Sequence, residues 1–344
     1  MSGAGTRALP PELAREYPFA SRRLQVDGGT LHYVDEGPRD APVVLCVHGN
    51  PTWSFFYRRL VLGLRDAARV VAPDHLGCGL SDKPADWPYT LALHVANLER
   101  LVLALDLRDV TLVVHDWGGA IGFGLARRHP GRIARLVILN TAAFVSDRMP
   151  LRIRVCRTPL LGSLLVRRLN GFAGAATRMA LARPARLSRA ARAGLLLPYR
   201  SYADRIAVWR FVRDIPLAPG HPSWDELVAI DASLAGFADR PACIVWGERD
   251  WCFTPHFRAE WQRRFPAAEV HPLADVGHYL LEEAPETVLA HVRAFLARHP
   301  LVPAGPDARG AHVGPGARAG ASAHAPPAAH AAPPTHAARA RDPE

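Results

Sequence analysis

The chain reads as short, unbroken apolar runs separated by longer stretches in which apolar residues recur every three or four positions. Six runs have the length and character of strands buried on both faces: PVVLCVHG, ARVVAPDH, VTLVVHD, ARLVILN, ACIVWGERD and AEVHPLAD. Helical patterns such as YTLALHVANLERLVLALDL and GAIGFGLARRHPGRI lie between most of them. Upstream, RRLQV and TLHYVDEG flank Gly28-Gly29, the two-residue signal of a hairpin. Buried strands alternating with helices predict an α/β fold whose mostly parallel sheet is covered by helices on both faces. In such sheets the ligand crevice lies at the carboxyl ends of the strands. The polar residues that close these runs, His48, Asp116, Asn140 and Asp250, fall at those ends.

The alternation fails between about Phe144 and Leu234, where the pattern is helical throughout and holds no convincing strand. An all-helical lid inserted between one core strand and the next accounts for it. From about residue 302 the composition changes again, to a Pro-, Ala- and His-rich stretch with no aromatic residue and few large aliphatics. Such a stretch cannot bury enough surface to fold. The expected organisation is a core in two parts, 1–143 and 235–301, a lid at 144–234, and a disordered tail at 302–344.

Composition narrows the class. Of the 344 residues 49% are hydrophobic, yet no apolar run reaches the roughly 20 residues that span a bilayer. The first residues have no hydrophobic core of the kind a secretory signal carries. Five cysteines, odd in number and without metal-ligand spacing, read as reduced thiols in a cytoplasmic protein. The net charge of +10 comes almost wholly from arginine, Lys83 being the only lysine. Charge alone does not make a nucleic-acid partner, and no helix-turn-helix, RRM or zinc pattern accompanies it.

The chemistry is carried by VVHDWGG, residues 113–119. A buried strand runs into a Gly-rich turn whose apex is Asp116, followed by Trp117, Gly118 and Gly119. Small residues at the apex are what a sharp nucleophile elbow requires. The competing reading is that Asp116 caps the helix it begins. Downstream, WGERDW places Asp250 after a buried strand, and ADVGHY puts His278 in a loop after the last one. Nucleophile, acid, histidine is the chain order of the α/β-hydrolase arrangement. His278 can serve as general base while Asp250 fixes its tautomer and stabilises the imidazolium. CVHGNPTWS supplies a loop after the first core parallel strand, where backbone N–H groups near Asn50 and Trp117 can converge on developing negative charge. The side chains of Asn50 and Trp117 are neutral donors and can solvate an anion without neutralising Asp116.

HGNPTWS, PDHLGCGLSDKP, VVHDWGG, WGERD and VGHY together resemble the haloalkane dehalogenase-like branch of the α/β-hydrolase superfamily, over roughly residues 17–300. The resemblance implies that Asp116 attacks an alkyl carbon, that His278 activates water against the resulting ester, and that Trp117 and Asn50 bind the departing anion. Some members take their acid from the strand end that here reads ILNTAAF; that position is Asn140, which leaves the role to Asp250. VILNTAAF and TPLLGSLLVRRLNGFAGAATRMA resemble more closely the β-lactone decarboxylases of long-chain olefin biosynthesis. That likeness implies a cis-3,4-dialkyl-β-lactone with long alkyl chains as substrate, a cis-alkene and CO2 as products, and neither cofactor nor metal. It also implies pathway enzymes as partners, notably a β-lactone synthetase.

An aspartate nucleophile suits displacement at alkyl carbon, because the ester carbonyl then belongs to the enzyme. It does not choose the leaving group. A halide remains open, as does an epoxide oxygen, for which Tyr199 and Tyr202 would be the candidate acids. A non-catalytic scaffold is the reading of a different class, disfavoured by the intact triad.

Truncation after Pro300 is expected to leave thermal stability and turnover unchanged, since the removed segment has no apolar surface to bury. A melting temperature several degrees lower would show that it packs on the body.

Overall fold

The computed structural model describes residues 10–301, so the expectation for the tail falls outside the described residues. All six buried runs are strands, and they join the hairpin in one eight-stranded sheet. Its members are β1 (Arg22–Val26), β2 (Gly29–Glu36), β3 (Val43–Val47), β4 (Arg69–Pro73), β5 (Val110–Asp116), β6 (Ile133–Thr141), β7 (Ala242–Gly247) and β8 (Glu269–Leu273). The order is β1-β2-β4-β3-β5-β6-β7-β8. Pairing is antiparallel between β1 and β2 and between β2 and β4, and parallel everywhere else.

Strand periodicity divides the core in two. Val43, Leu45 and Val47 of β3 belong to the buried cluster on one face, Val44 and Cys46 to the cluster on the other. The same alternation sends Leu136 and Ile138 of β6 to one side and Val137 and Leu139 to the other. Both faces of the central strands are dry, which explains runs of uninterrupted rather than alternating apolar residues. Helices Leu91–Ala104 and Trp117–Arg128 cover the first face, and Pro285–Arg298 packs its Val288, Val292 and Phe295 on the second.

Between β6 and β7 the described chain is helical, with short helices at Leu151–Cys156, Pro159–Ser163, Ala173–Met179, Arg189–Leu196 and Ile206–Arg213 and a π-helical turn at Leu164–Arg168. The next helix, Trp224–Ser233, belongs to the core layer instead. Its Leu227 and Ile230 join the first core cluster, and its Glu226 pairs with Arg127 at 3.0 Å. The helical stretch expected as lid thus includes, before Leu234, a helix that packs on the core helix Trp117–Arg128.

Candidate active site

β5 ends on Asp116 and the helix Trp117–Arg128 begins at the next residue, so the chain reverses direction within one peptide. Asp116 takes up the strain with φ 53° and ψ −127°, a left-handed backbone unusual for a residue with a Cβ. The glycines around it leave the room this turn needs. A Cβ on Gly118 would stand 1.9 Å from the Val47 carbonyl oxygen, and one on Gly49 would stand 2.1 Å from Asp116 Oδ1. The Thr141 hydroxyl donates to the Asp116 carbonyl oxygen and ties the turn to β6. The carboxylate does not cap its helix. Oδ1 instead accepts the backbone N–H of Asn50 at 2.6 Å, and the Trp117 N–H also favours the charged form.

His278 Nε2 lies 3.6 Å from Asp116 Oδ2, while Nδ1 lies 2.7 Å from Asp250 Oδ2. Asp250 is fully engaged. Its Oδ1 accepts N–H groups of Cys252 at 2.7 Å and Phe253 at 3.0 Å, and its Oδ2 also accepts Asn140 Nδ2 at 2.9 Å. The structure thus brings Asp116, Asp250 and His278 together as the sequence predicts. Burial pushes the Asp116 carboxyl up, opposed by His278 and the backbone donors. Burial pulls His278 down, but the charges of Asp250 and Asp116 outweigh it and leave the imidazole above its ordinary value.

The two expected anion-binding residues differ. Trp117 lines the adjoining cavity, and among the described residues its indole N–H has no hydrogen-bond partner. Asn50 also lines the cavity, but its Nδ2 donates to the Val208 carbonyl oxygen at 3.1 Å and its buried Oδ1 has no partner. Its side chain is therefore partly spent on the insertion, while its backbone N–H does the work on Asp116. His48 shapes the loop: its Nε2 accepts the His75 N–H at 3.0 Å.

The cavity holds about 650 Å³. Phe144, Phe253 and Phe257 from the core and Met149, Ile153, Phe172 and Val212 from the insertion line it, with Asp116 and His278 at its floor. Neither Tyr199 nor Tyr202 lines it. Tyr199 is buried elsewhere with its hydroxyl donating to the Thr52 carbonyl oxygen at 3.3 Å, and Tyr202 lies half-exposed under Arg167. The two tyrosines expected to serve as acids for an epoxide therefore do not line the cavity.

The sequence pattern missed Phe253 and Glu283 and the role of Asn140. Asn140 is a strut rather than an idle replacement for an acid. It holds Asp250 and exchanges hydrogen bonds with the Gly247 carbonyl oxygen at 3.1 Å and the Gly247 N–H at 2.8 Å. Phe253 stacks on His278 with centroids 5.6 Å apart. Glu283 is buried and accepts N–H groups of Gly277 at 2.6 Å, Ala182 at 2.9 Å and Arg183 at 2.7 Å, so one carboxylate joins the His278 loop to the insertion. Asn140 is marked by its place at a strand end, but its bonds to Asp250 and Gly247 join separate strands and leave no local signal. Glu283 reads as an ordinary first-turn acid, and nothing in its neighbours marks it.

A sequence model of the alpha/beta hydrolase fold matches residues 42–285. Among curated proteins, the cis-3-alkyl-4-alkyloxetan-2-one decarboxylase of Shewanella oneidensis is 46% identical over 81% of this chain and 89% of its own. That of Xanthomonas campestris pv. campestris is 44% identical over 83% of this chain and 98% of its own. Among solved structures, haloalkane dehalogenase DbeA from Bradyrhizobium elkani superposes with a TM-score of 0.75 at 28% identity, covering 81% of this chain and 98% of that one.

Because the folded pKa of His278 is raised above 6.5, its protonation contributes stability that is complete below that pH and lost as pH rises through the folded value. Asp250→Asn removes the charge that chiefly opposes burial of the ring, so the NMR titration midpoint of His278 should fall. An unchanged midpoint would show that Asp250 does not govern the ring.

Proposed function

This chain belongs to the cis-3-alkyl-4-alkyloxetan-2-one decarboxylases of the α/β-hydrolase fold, and we propose that Asp116 opens the β-lactone at its alkyl carbon. One observation carries this mechanism. The apex carboxylate has one oxygen seated among backbone donors, and it faces an apolar cavity rather than water.

With Oδ1 held by Asn50, Oδ2 is the attacking oxygen. It forms a bond to the ring carbon that carries the ring oxygen, and that C–O bond breaks to free a carboxylate. The indole N–H of Trp117, a residue that lines the cavity, would receive this charge, a task worth about 3 kcal/mol per well-placed donor in comparable sites. The alkyl ester now carries a carboxylate on the adjacent carbon. Loss of CO2 sends the C–C pair into the new double bond and expels Asp116 as a carboxylate beside His278. Inversion at the attacked carbon followed by anti loss is a net syn extrusion, so a cis-lactone gives a cis-alkene. No proton and no water are consumed. His278 holds Asp116 charged and steadies it as a leaving group, with Asp250 and Asn140 fixing the ring.

The helical insertion acts as a lid. Its aliphatic and aromatic inner side accommodates alkyl chains and keeps water from the ester. The free thiols fit the reducing cytoplasm, and the substrate would come there from the enzyme that closes the lactone. Haloalkane hydrolysis would use the same residues but expel halide and then need water, activated by His278, to cleave the alkyl ester; it is the second reading, supported by the dehalogenase neighbour.

Offered a cis-dialkyl-β-lactone in 18O-labelled water, the chain should release alkene as the dominant product. Asp116→Ala should lower turnover by about 10⁴-fold or more. Dominant labelled β-hydroxy acid would refute decarboxylation. Fast halide release from 1-haloalkanes with no alkene from lactone would move the assignment to dehalogenase.

A further inference from the structure

The insertion carries a surface that the chemistry leaves unused. Five of its leucines, Leu151, Leu160, Leu161, Leu164 and Leu169, stand in solvent, with Leu160 88% and Leu151 74% exposed. They lie on consecutive short helices over residues 151–169, whose other side is packed: Ile153 lines the cavity and Val166 is fully buried. Short helices that are apolar on both sides are not explained by packing on the core alone. Clustered exposed leucines mark an interaction site rather than scattered surface apolarity.

Charge identifies the occupant. Between Arg148 and Ala203 the chain holds twelve arginines and no aspartate or glutamate. This single segment carries more positive charge than the +10 of the whole chain, so the remainder is close to neutral. Arg154, Arg168, Arg178, Arg189 and Arg200 are exposed, and among the described residues none has an acidic partner within salt-bridge distance. Two copies of such a face would repel each other. An anionic sheet with an apolar interior fits both features, since guanidinium groups pair with phosphates while leucines enter the acyl boundary. No helix among the described residues is long and apolar enough to cross a membrane, so the contact is peripheral.

We propose that residues 148–169 dock the chain on an anionic phospholipid bilayer. The leucines sit at the acyl boundary and the arginines at the headgroups. The stretch adjoins the cavity: Arg148, Met149, Pro150 and Arg152 line it, and they lead directly into the exposed leucines. Docking would bring its mouth to the phase in which an apolar substrate dissolves. Docking itself stands without the lactone reading; only delivery of a long-chain substrate rests on it.

The test is flotation of the full chain with vesicles of phosphatidylcholine alone or of phosphatidylcholine containing phosphatidylglycerol. Binding should be about tenfold stronger to the anionic vesicles and should weaken markedly between about 0.05 M and about 0.5 M salt. Leu160→Asp with Leu164→Asp should abolish it, and Arg154→Gln with Arg168→Gln should weaken it. All four side chains are exposed and none lines the cavity, so circular dichroism melting and turnover of a water-dispersed short-chain lactone should match the parent chain. Failed turnover in the parent would overturn the catalytic reading and leave docking standing. No flotation, equal flotation on neutral vesicles, or variants that float like the parent would overturn docking. So would a dimer in sedimentation that the leucine variant dissociates, which would assign the face to a second copy.

Discussion

Everything at this site depends on keeping a carboxylate charged where water is scarce. Asp116 is buried, and burial alone drives its proton back on. The fold counters this with a backbone donor from the loop after β3, a helix that starts at the next residue, and a histidine held by a second carboxylate. Each counterweight constrains the chain. The donor requires Gly49 to have no side chain, because a Cβ there would occupy the position of Oδ1. The helix requires Gly118, which passes against the Val47 carbonyl. The histidine requires Asp250, whose four hydrogen-bond partners leave it little freedom. A carboxylate so placed is desolvated enough to attack carbon and stabilised enough to depart again.

The same economy reaches the helical insertion. Glu283 accepts three backbone N–H groups, one beside His278 and two at Ala182 and Arg183, and the Tyr279 N–H donates to the Ala180 carbonyl oxygen at 2.9 Å. His278 is therefore positioned by the segment that roofs the cavity as well as by the sheet.

Much of this was legible in the chain. Central strands are dry on both faces, so they appear as unbroken apolar runs, and the polar residues that end them mark the crevice. The elbow announces itself because only glycines fit around Asp116. The roles expected of Asp250 and His278 come from chain order. What stayed hidden depends on contacts between distant segments. The Asn50 amide bonds the Val208 carbonyl, 158 residues away. Glu283 serves N–H groups about 100 residues upstream. Tyr199 and Tyr202 have the right chemistry for acids but do not line the cavity; they sit in the connection between the helices Arg189–Leu196 and Ile206–Arg213, whose path no local pattern fixes. The helix Trp224–Ser233 shares the pattern of the insertion, and only its packing on Gly124 and Val95 assigns it to the core.

The central claim is that Asp116 makes a covalent bond to alkyl carbon, and that hydrolysis of an ester left there by a haloalkane depends on His278. Intact-protein mass spectrometry of His278→Ala exposed to a 1-haloalkane, followed by peptide mapping, tests it most directly. The account predicts a gain of one alkyl group, located on Asp116 and absent when Asp116→Ala is added to the same chain. An adduct mapped to any other residue, or none on a folded variant that still releases halide, would contradict it.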